Sequence, residues 1–285
     1  MVKTMNKPDK FKIEINKTGT PYPEPADERD KPRMPSMTEA KLKQQIREQE
    51  NKIKEPGKLH VEILAHTPDP EVQVARAARL CYYGSGIEDL KETMTPEKAA
   101  ELVRKLVSMG HFSPVEHVTF TFGIEGISRA LSHQLVRHRI ASYSQQSQRY
   151  VDGGKFSYIM PPSIENNPEA KELFLEQMEK DYECYEKLTK LGIPKEDARF
   201  VLPNACDTKV IATMNVRSLY NFFQHRCCNR AQWEIRALAW EMLRQCKSIA
   251  PILFENAGPD CLTTGKCNEG NMSCGKPYTK KPENN

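Results

Sequence analysis

Residues 137–150 constrain this chain more than any other stretch. They read Arg137-His138-Arg139-Ile140-Ala141-Ser142-Tyr143-Ser144-Gln145-Gln146-Ser147-Gln148-Arg149-Tyr150, with three arginines, a histidine, three glutamines and three serines. Only Ile140 and Ala141 are aliphatic, so neither a core strand nor a simple amphipathic helix can be built from the segment. Guanidinium groups backed by hydroxyls and amides are the side chains that hold phosphates: Arg donates through a planar fork, and Ser and Gln complete the donor set. A solvated loop with a few surface arginines has the same composition. Taken alone, the stretch leaves both readings open.

The rest of the chain decides what such a stretch can be attached to. Residues 1–57 carry 13 Lys/Arg, 10 Asp/Glu and seven of the 20 prolines, and few apolar residues. They read as an extended or disordered N-terminal segment, with a thin helical stripe over 38–55 ended by Pro56-Gly57. Residues 58–257 have ordinary globular composition, enough for a sizeable core. A Cys- and Gly-containing tail, 258–285, follows. The net charge of +4 argues against a general nucleic-acid binder but leaves room for a local phosphate pocket. No apolar leader opens the chain and no apolar run reaches membrane-spanning length, so a cytoplasmic protein with no membrane partner is expected. Nine cysteines in a chain of this length are read as mostly reduced thiols.

Periodicity places the elements. Strands are expected at 59–65, 118–124, 156–160 and 210–214, and helices from Asp69, from Thr95-Pro96 to Gly110, and over 127–137, 168–191, 215–226 and 231–249. In the strand at 118–124, Val118, Phe120, Phe122 and Ile124 share a face. Trp233, Ala237, Trp240 and Leu243 are read as the apolar positions of the last long helix. Gln134 and Arg137 share a face of the helix that enters the polar stretch, and Arg217 and Asn221 share a face of another.

Arg137-His138-Arg139, seven further residues and Ser147 resemble the signature of the flavin-dependent thymidylate synthases. Supporting segments stand in that family's order: His111-Phe112-Ser113-Pro114-Val115-Glu116-His117 upstream, then Ala198-Arg199-Phe200-Val201-Leu202-Pro203, Asn215-Val216-Arg217-Ser218-Leu219-Tyr220-Asn221-Phe222, Arg226 and Ala231-Gln232-Trp233-Glu234 downstream. The similarity spans residues 59–257. It implies an α/β fold with a mixed sheet flanked by helices, and a homotetramer with FAD bound between subunits. It also implies reductive methylation of dUMP to dTMP, with methylenetetrahydrofolate as carbon donor and NADPH as reductant.

The resemblance also implies roles. Ser113, Arg137, His138, Arg139, Gln145, Asn215, Arg217 and Asn221 match FAD-binding positions. Gln134, Arg137, Gln145, Gln146, Ser147, Gln148, Arg149, Arg199 and Arg226 match dUMP-binding positions. Arg226 matches the arginine beside the uracil and is the catalytic candidate; His111 is expected near the flavin. Gln145 stands where the family often carries an acid, and Gln148 where a small residue is common.

Ser147 as a nucleophile would need a base, and no Ser-His-Asp arrangement can be inferred. Cys261, Cys267 and Cys274, with Cys227-Cys228, have spacings that fit no familiar zinc ribbon, so no metal is expected. A nucleic-acid module using Arg137, Arg139 and Arg149 would need a broad basic surface and stacking platforms, which Tyr143 and Tyr150 alone do not supply. A flavoprotein without synthase activity is the third reading.

Overall fold

Residues 57–149 and 157–278, apart from Tyr83 and Ser85, are described by the computed structural model. The expected N-terminal extension and Phe156 lie outside the described residues. The order is β1 (His60–His66), α1 (Pro70–Leu80), α2 (Ile87–Thr93), α3 (Pro96–Ser108), β2 (Thr119–Ser128), α4 (Arg129–Leu135) and β3 (Ser142–Gln145). Then come α5 (Pro162–Glu165), α6 (Pro168–Lys190), α7 (Lys195–Ala198), β4 (Asp207–Asn215), α8 (Val216–Arg226), α9 (Trp233–Ile249) and α10 (Asp260–Thr263). Short 3-10 turns at Pro114–His117, Arg199–Val201 and Gly270–Met272 complete the described chain.

The four strands form one sheet in the order β1-β2-β4-β3, and every neighbouring pair is antiparallel. The expected mixed sheet is therefore wrong. The resemblance implies the mixed sheet, and parallel neighbours would need crossover connections. Here α1–α3 and α5–α7 each return at the end of the sheet they left, whereas α4 crosses from one end to the other and sets β3 parallel to β2, with β4 between them. β1 ends with His66 opposite Phe120, at the start of β2, so α1–α3 form a long loop at one end. β2 ends with Ser128 opposite Asp207, α4 carries the chain to Ser142 opposite Thr213 near the far end, and β3 brings it back so that α5–α7 leave and return at the Asp207 end.

The strand interiors follow the two-residue alternation. Phe120, Phe122 and Ile124 of β2, with Val210, Ala212 and Met214 of β4, are buried against Leu131 and Leu135 of α4 and Leu219, Phe222 and Phe223 of α8. α9 covers the same cluster, but of the four apolar positions expected only Leu243 is fully buried in it. Ile235, Leu238, Ala239, Met242, Leu243 and Cys246 are buried, Trp233 and Trp240 are half-buried, and Ala237 is exposed. The two tryptophans are seven apart, which is helical spacing on any face; bulk picked the wrong one. The expected helix over 127–137 begins later, because Ile127 and Ser128 still belong to β2. The strand expected at 156–160 is a single bridge, Tyr158 to Cys206. Asp69 precedes α1 with a left-handed backbone, φ 42°, and makes no side-chain cap.

Two devices set where α4 starts. The β2 register shifts between Ile124 and Ile127, and Gly126 sits in that bulge at φ 68°. Ser128 then caps α4, its Oγ accepting from Leu131 N–H at 2.9 Å. The same Oγ donates to Glu234 Oε2, and Ser128 N–H donates to Oε1, each at 2.6 Å. Glu234 is buried in the first turn of α9, so one carboxylate ties the entry of α4 to α9. Burial raises its pKa, against the lowering effect of the two Ser128 hydrogen bonds.

A Cβ on Gly126 would stand 1.9 Å from the Lys58 carbonyl oxygen, in a conformation L-residues rarely adopt. Gly126→Ala should lower unfolding free energy by about 2–4 kcal/mol. Urea denaturation measures this; an unchanged midpoint would show that the bulge relaxes freely.

Candidate functional site

α4 runs back beneath the sheet and releases the chain beside the first turns of α8. Residues 137–139 follow it. Arg137 and Arg139 are exposed, and neither makes an ion pair with any described residue. His138 turns inward. Its Nε2 lies 2.6 Å from Ser218 Oγ, and its ring meets Phe222 edge-on at 5.5 Å. Ser218 Oγ also contacts the Ile140 carbonyl oxygen, which can only accept, so the serine proton goes there. Nε2 of His138 must then be the donor, and Nδ1 is left as an acceptor. Burial, followed by the charges of Arg226 and His225, lowers the His138 pKa, so the ring is held neutral.

Tyr143 closes this loop from the strand side. Its hydroxyl lies 2.9 Å from the Leu135 carbonyl oxygen and 2.8 Å from that of His138. Burial pushes its pKa up to about 12, with Arg226 opposing. The polar stretch is thus partly a strand: Ser142–Gln145 pairs with Thr213 through Val210 at the sheet edge. A four-residue edge strand needs no continuous apolar face, which is why composition did not reveal it.

α8 gathers most of the remaining candidates. Asn215 caps it, its Oδ1 accepting from Ser218 N–H at 2.9 Å. Arg217 pairs with Glu116 of the 3-10 turn after Ser113, bringing Ser113 to this helix. Asn221 lies exposed one turn after Arg217. Arg226 is the last residue of α8, half-buried, with no hydrogen bond or ion pair to any described residue. Its charge is felt by His138 and Tyr143, so Arg226 shares their surroundings. Gln134 lies in the last turn of α4.

Of the other candidates, Arg149 and Arg199 meet at Glu196 of α7, while Gln145 and Gln146 bond to β4. Arg149 Nη2 stands 2.9 Å from Glu196 Oε2, and Arg199 Nε donates to the Glu196 backbone oxygen at 3.0 Å. Ser147 Oγ accepts from Arg149 N–H at 3.1 Å. Gln145 Nε2 donates to Thr208 Oγ1 at 3.3 Å, and Gln146 N–H to the Lys209 carbonyl at 2.9 Å. Gln148 is half-buried in the turn that follows. Exposed pairs such as Arg149–Glu196 contribute little stability, so a doubly charged phosphate could displace the carboxylate at small cost.

A family model described as thymidylate synthase complementing protein matches residues 62–252. A flavin-dependent thymidylate synthase of Geobacter sulfurreducens is 56% identical over 220 residues, covering 76% of this chain and 94% of the relative. One from Clostridium tetani is 51% identical over 232 residues (76% and 93%), and one from Pyrococcus furiosus 39% over 236 (79% and 97%).

The chain belongs to the flavin-dependent thymidylate synthase family.

Membership makes it an enzyme with a flavin cofactor, and the side chains suit that group. Arg137 and Arg139 offer guanidinium donors free of carboxylate partners among the described residues, beside a neutral histidine with an open acceptor nitrogen. Guanidinium forks suit phosphates, and an acceptor nitrogen suits an N–H on a heteroaromatic ring edge. Sequence reasoning assigned no role to Ser218, Glu116, Glu196 or Tyr143. Ser218 was findable: it stands three residues after Asn215, where a capped first turn faces inward. Among the described residues, no group of three or more His, Cys, Asp or Glu is placed to hold a metal.

His138 should titrate below its ordinary value near 6.5. The unfolded chain then takes up this proton first. The histidine's contribution to stability is complete above the ordinary value and falls as pH drops toward the folded one. Imidazole resonances followed by NMR check it; a midpoint at or above the ordinary value would remove the neutral-ring assignment.

Proposed function

We propose that this chain methylates dUMP to dTMP, with FAD bound, methylenetetrahydrofolate as carbon donor and NADPH as reductant. The observation that supports this best is the meeting of His138, Ser218, Tyr143 and Arg226 where the polar stretch docks on α8. In this reading Ser113, Arg137, His138, Arg139, Asn215, Arg217 and Asn221 hold FAD, with Gln145 at its border. When bound, the flavin supplies the hydride that completes the methyl group.

Gln134, Arg137, Gln145, Gln146, Ser147, Gln148, Arg149 and Arg199 hold dUMP, with the two last arginines on its phosphate. Arg226 stays protonated at any working pH, so it cannot act as a base. It stabilises the uracil as the ring loses its N3 proton, a fixed cation aimed at developing charge. The His138 ring, neutral and fixed by Ser218, keeps a second positive charge away from that point.

The assembly proposed is a homotetramer with sites shared between subunits. Its support is a surface divided between two places. Ser144, Gln145 and Gln146 line a trough of about 630 Å³ on the open face of the sheet, with the exposed Leu64 and Ile211. Ile140 and Phe200, 72% and 82% exposed, flank the arginines. Apolar side chains this open beside binding groups suit burial by another copy. Light scattering that returned the mass of a single chain would remove this part of the reading.

The deciding assay is dTMP formation from dUMP, methylenetetrahydrofolate and NADPH by the purified yellow protein. Arg226→Ala should keep NADPH-driven flavin reduction and lose about a hundredfold or more in dTMP formation. Arg226→Lys should recover only part, since a point charge does not reproduce the fork. Arg199→Ala should weaken dUMP binding about ten- to a hundredfold and leave FAD binding unchanged, the cost of one charge-assisted bond. A normal dTMP rate from the Arg226→Ala variant at saturating dUMP would exclude the activating role.

A further inference from the structure

The tail after α9 lies beyond the stretch that the family model matches, and the proposed function uses none of it. It is nonetheless folded back onto the body. Ala257, Gly258 and Pro259 are buried where it departs, residues 265–273 are exposed, and Cys274 and Tyr278 return to partial burial.

Its polar contacts fall on both sides of Arg226. Two residues before it, Gln224 Nε2 donates to Asp260 Oδ1 at 2.7 Å. The other oxygen of Asp260 accepts from Asn268 Nδ2 at 2.7 Å, so the carboxylate is held within the tail. Three residues after Arg226, Asn229 is held at both polar atoms of its side chain and at its carbonyl. Its Nδ2 donates to the Lys276 carbonyl at 2.8 Å, and its Oδ1 accepts from the Tyr278 hydroxyl at 2.6 Å. Its own carbonyl accepts from Arg236 Nη1 of α9 at 2.9 Å.

Tyr278 joins three parts of the chain. Its ring packs edge-on against Trp240 of α9 at 5.3 Å, its hydroxyl reaches Asn229, and its backbone N–H donates to Cys261 Sγ at 3.4 Å. The half-burial of Trp240 on α9 is explained by this contact. Arg226 itself is at a helix end, where backbone carbonyls lack intrahelical donors and fraying is easiest. The direction of this cation therefore depends on how the end of α8 is held.

We propose that residues 258–278 act as a strap that positions Arg226, with Tyr278 as the positioning residue. Tyr278 does not touch substrate in this account; it acts through Asn229 and the junction of α8 with α9. The inference rests on the proposed role of Arg226 in dTMP formation, but the anchoring part can be measured without it.

The experiment uses the full chain with FAD bound. Amide hydrogen exchange is compared between the parent, Tyr278→Ala and Tyr278→Phe proteins. In Tyr278→Ala, exchange over residues 224–230 should quicken by about tenfold or more while β2 and β4 keep their protection. Tyr278→Phe keeps the ring on Trp240 and loses only the hydroxyl, so its change should be smaller. Unchanged exchange over 224–230 in Tyr278→Ala would overturn the strap whatever the enzyme does.

Kinetics then tests positioning. Tyr278→Ala should lower dTMP formation about tenfold at saturating dUMP, with flavin content and NADPH-driven flavin reduction within about twofold of the parent. In an Arg226→Ala background the same change should cost about nothing further, since two residues acting through one group are not additive. Additive losses, or equal loss of flavin reduction and dTMP formation, would make Tyr278 merely structural. If Tyr278→Ala does not fold, Tyr278→Phe and Gln224→Ala enter the same cycle, and additive losses there likewise overturn the proposal. A parent protein that makes no dTMP would overturn the functional reading, while the exchange data still decide the strap.

Discussion

The buried carboxylate of Glu234 is the contact on which the site's geometry hangs. It accepts both the N–H and the hydroxyl of Ser128, at the point where β2 becomes α4. α4 is only seven residues long, too short to be stable by itself. Its direction comes from its capped start, from Leu131 and Leu135 in the core, and from the tie to α9. With that direction set, the arginines of the polar stretch emerge beside α8. Glu234 was quoted in the sequence as part of a motif and given no role, because a buried acid cannot be told from a surface one by spacing.

The second constraint is how the site keeps its cations apart. Arg217 is paired with Glu116 and Arg149 with Glu196, whereas Arg226 has no carboxylate partner among the described residues. An arginine left without a counter-ion raises the potential around it and is ready for an anion. His138 sits within reach of that field, and the combined effect of burial and charge is to hold it neutral. The Ser218 hydroxyl, spending its proton on Ile140, decides which ring nitrogen carries the remaining one. Electrostatics and hydrogen-bond direction therefore act together at one residue.

The thiols show how burial divides chemically identical side chains. Cys206, Cys227 and Cys246 are buried, and burial drives their pKa values upward, to about 12 for the first two. They behave as small apolar groups. Cys261 and Cys274 instead accept backbone hydrogen bonds in the tail, from Tyr278 and Lys276. The tail thus has a folding role that its composition, rich in glycine and exposed polar residues, did not disclose.

Some of this was determined by sequence alone. Alternation in β2 placed Phe120, Phe122 and Ile124 on one face, which is buried, and helical spacing in α8 placed Arg217 and Asn221 on one face, which is exposed, because both periods come from backbone geometry. The Arg-His-Arg stretch and the segments that accompany it in that family's order were specific enough to identify the family. Strand direction was not legible: helices between strands do not say at which end the chain returns. Nor was the burying face of α9, where Ile235 and Leu238 outrank Trp233 once neighbours are present. Only the tertiary structure decided that Ser218 meets His138 across 80 residues and that Tyr278 meets Asn229 across 49. Sequence periodicity reports what a residue's own element requires; which distant group completes a hydrogen bond depends on how the elements pack.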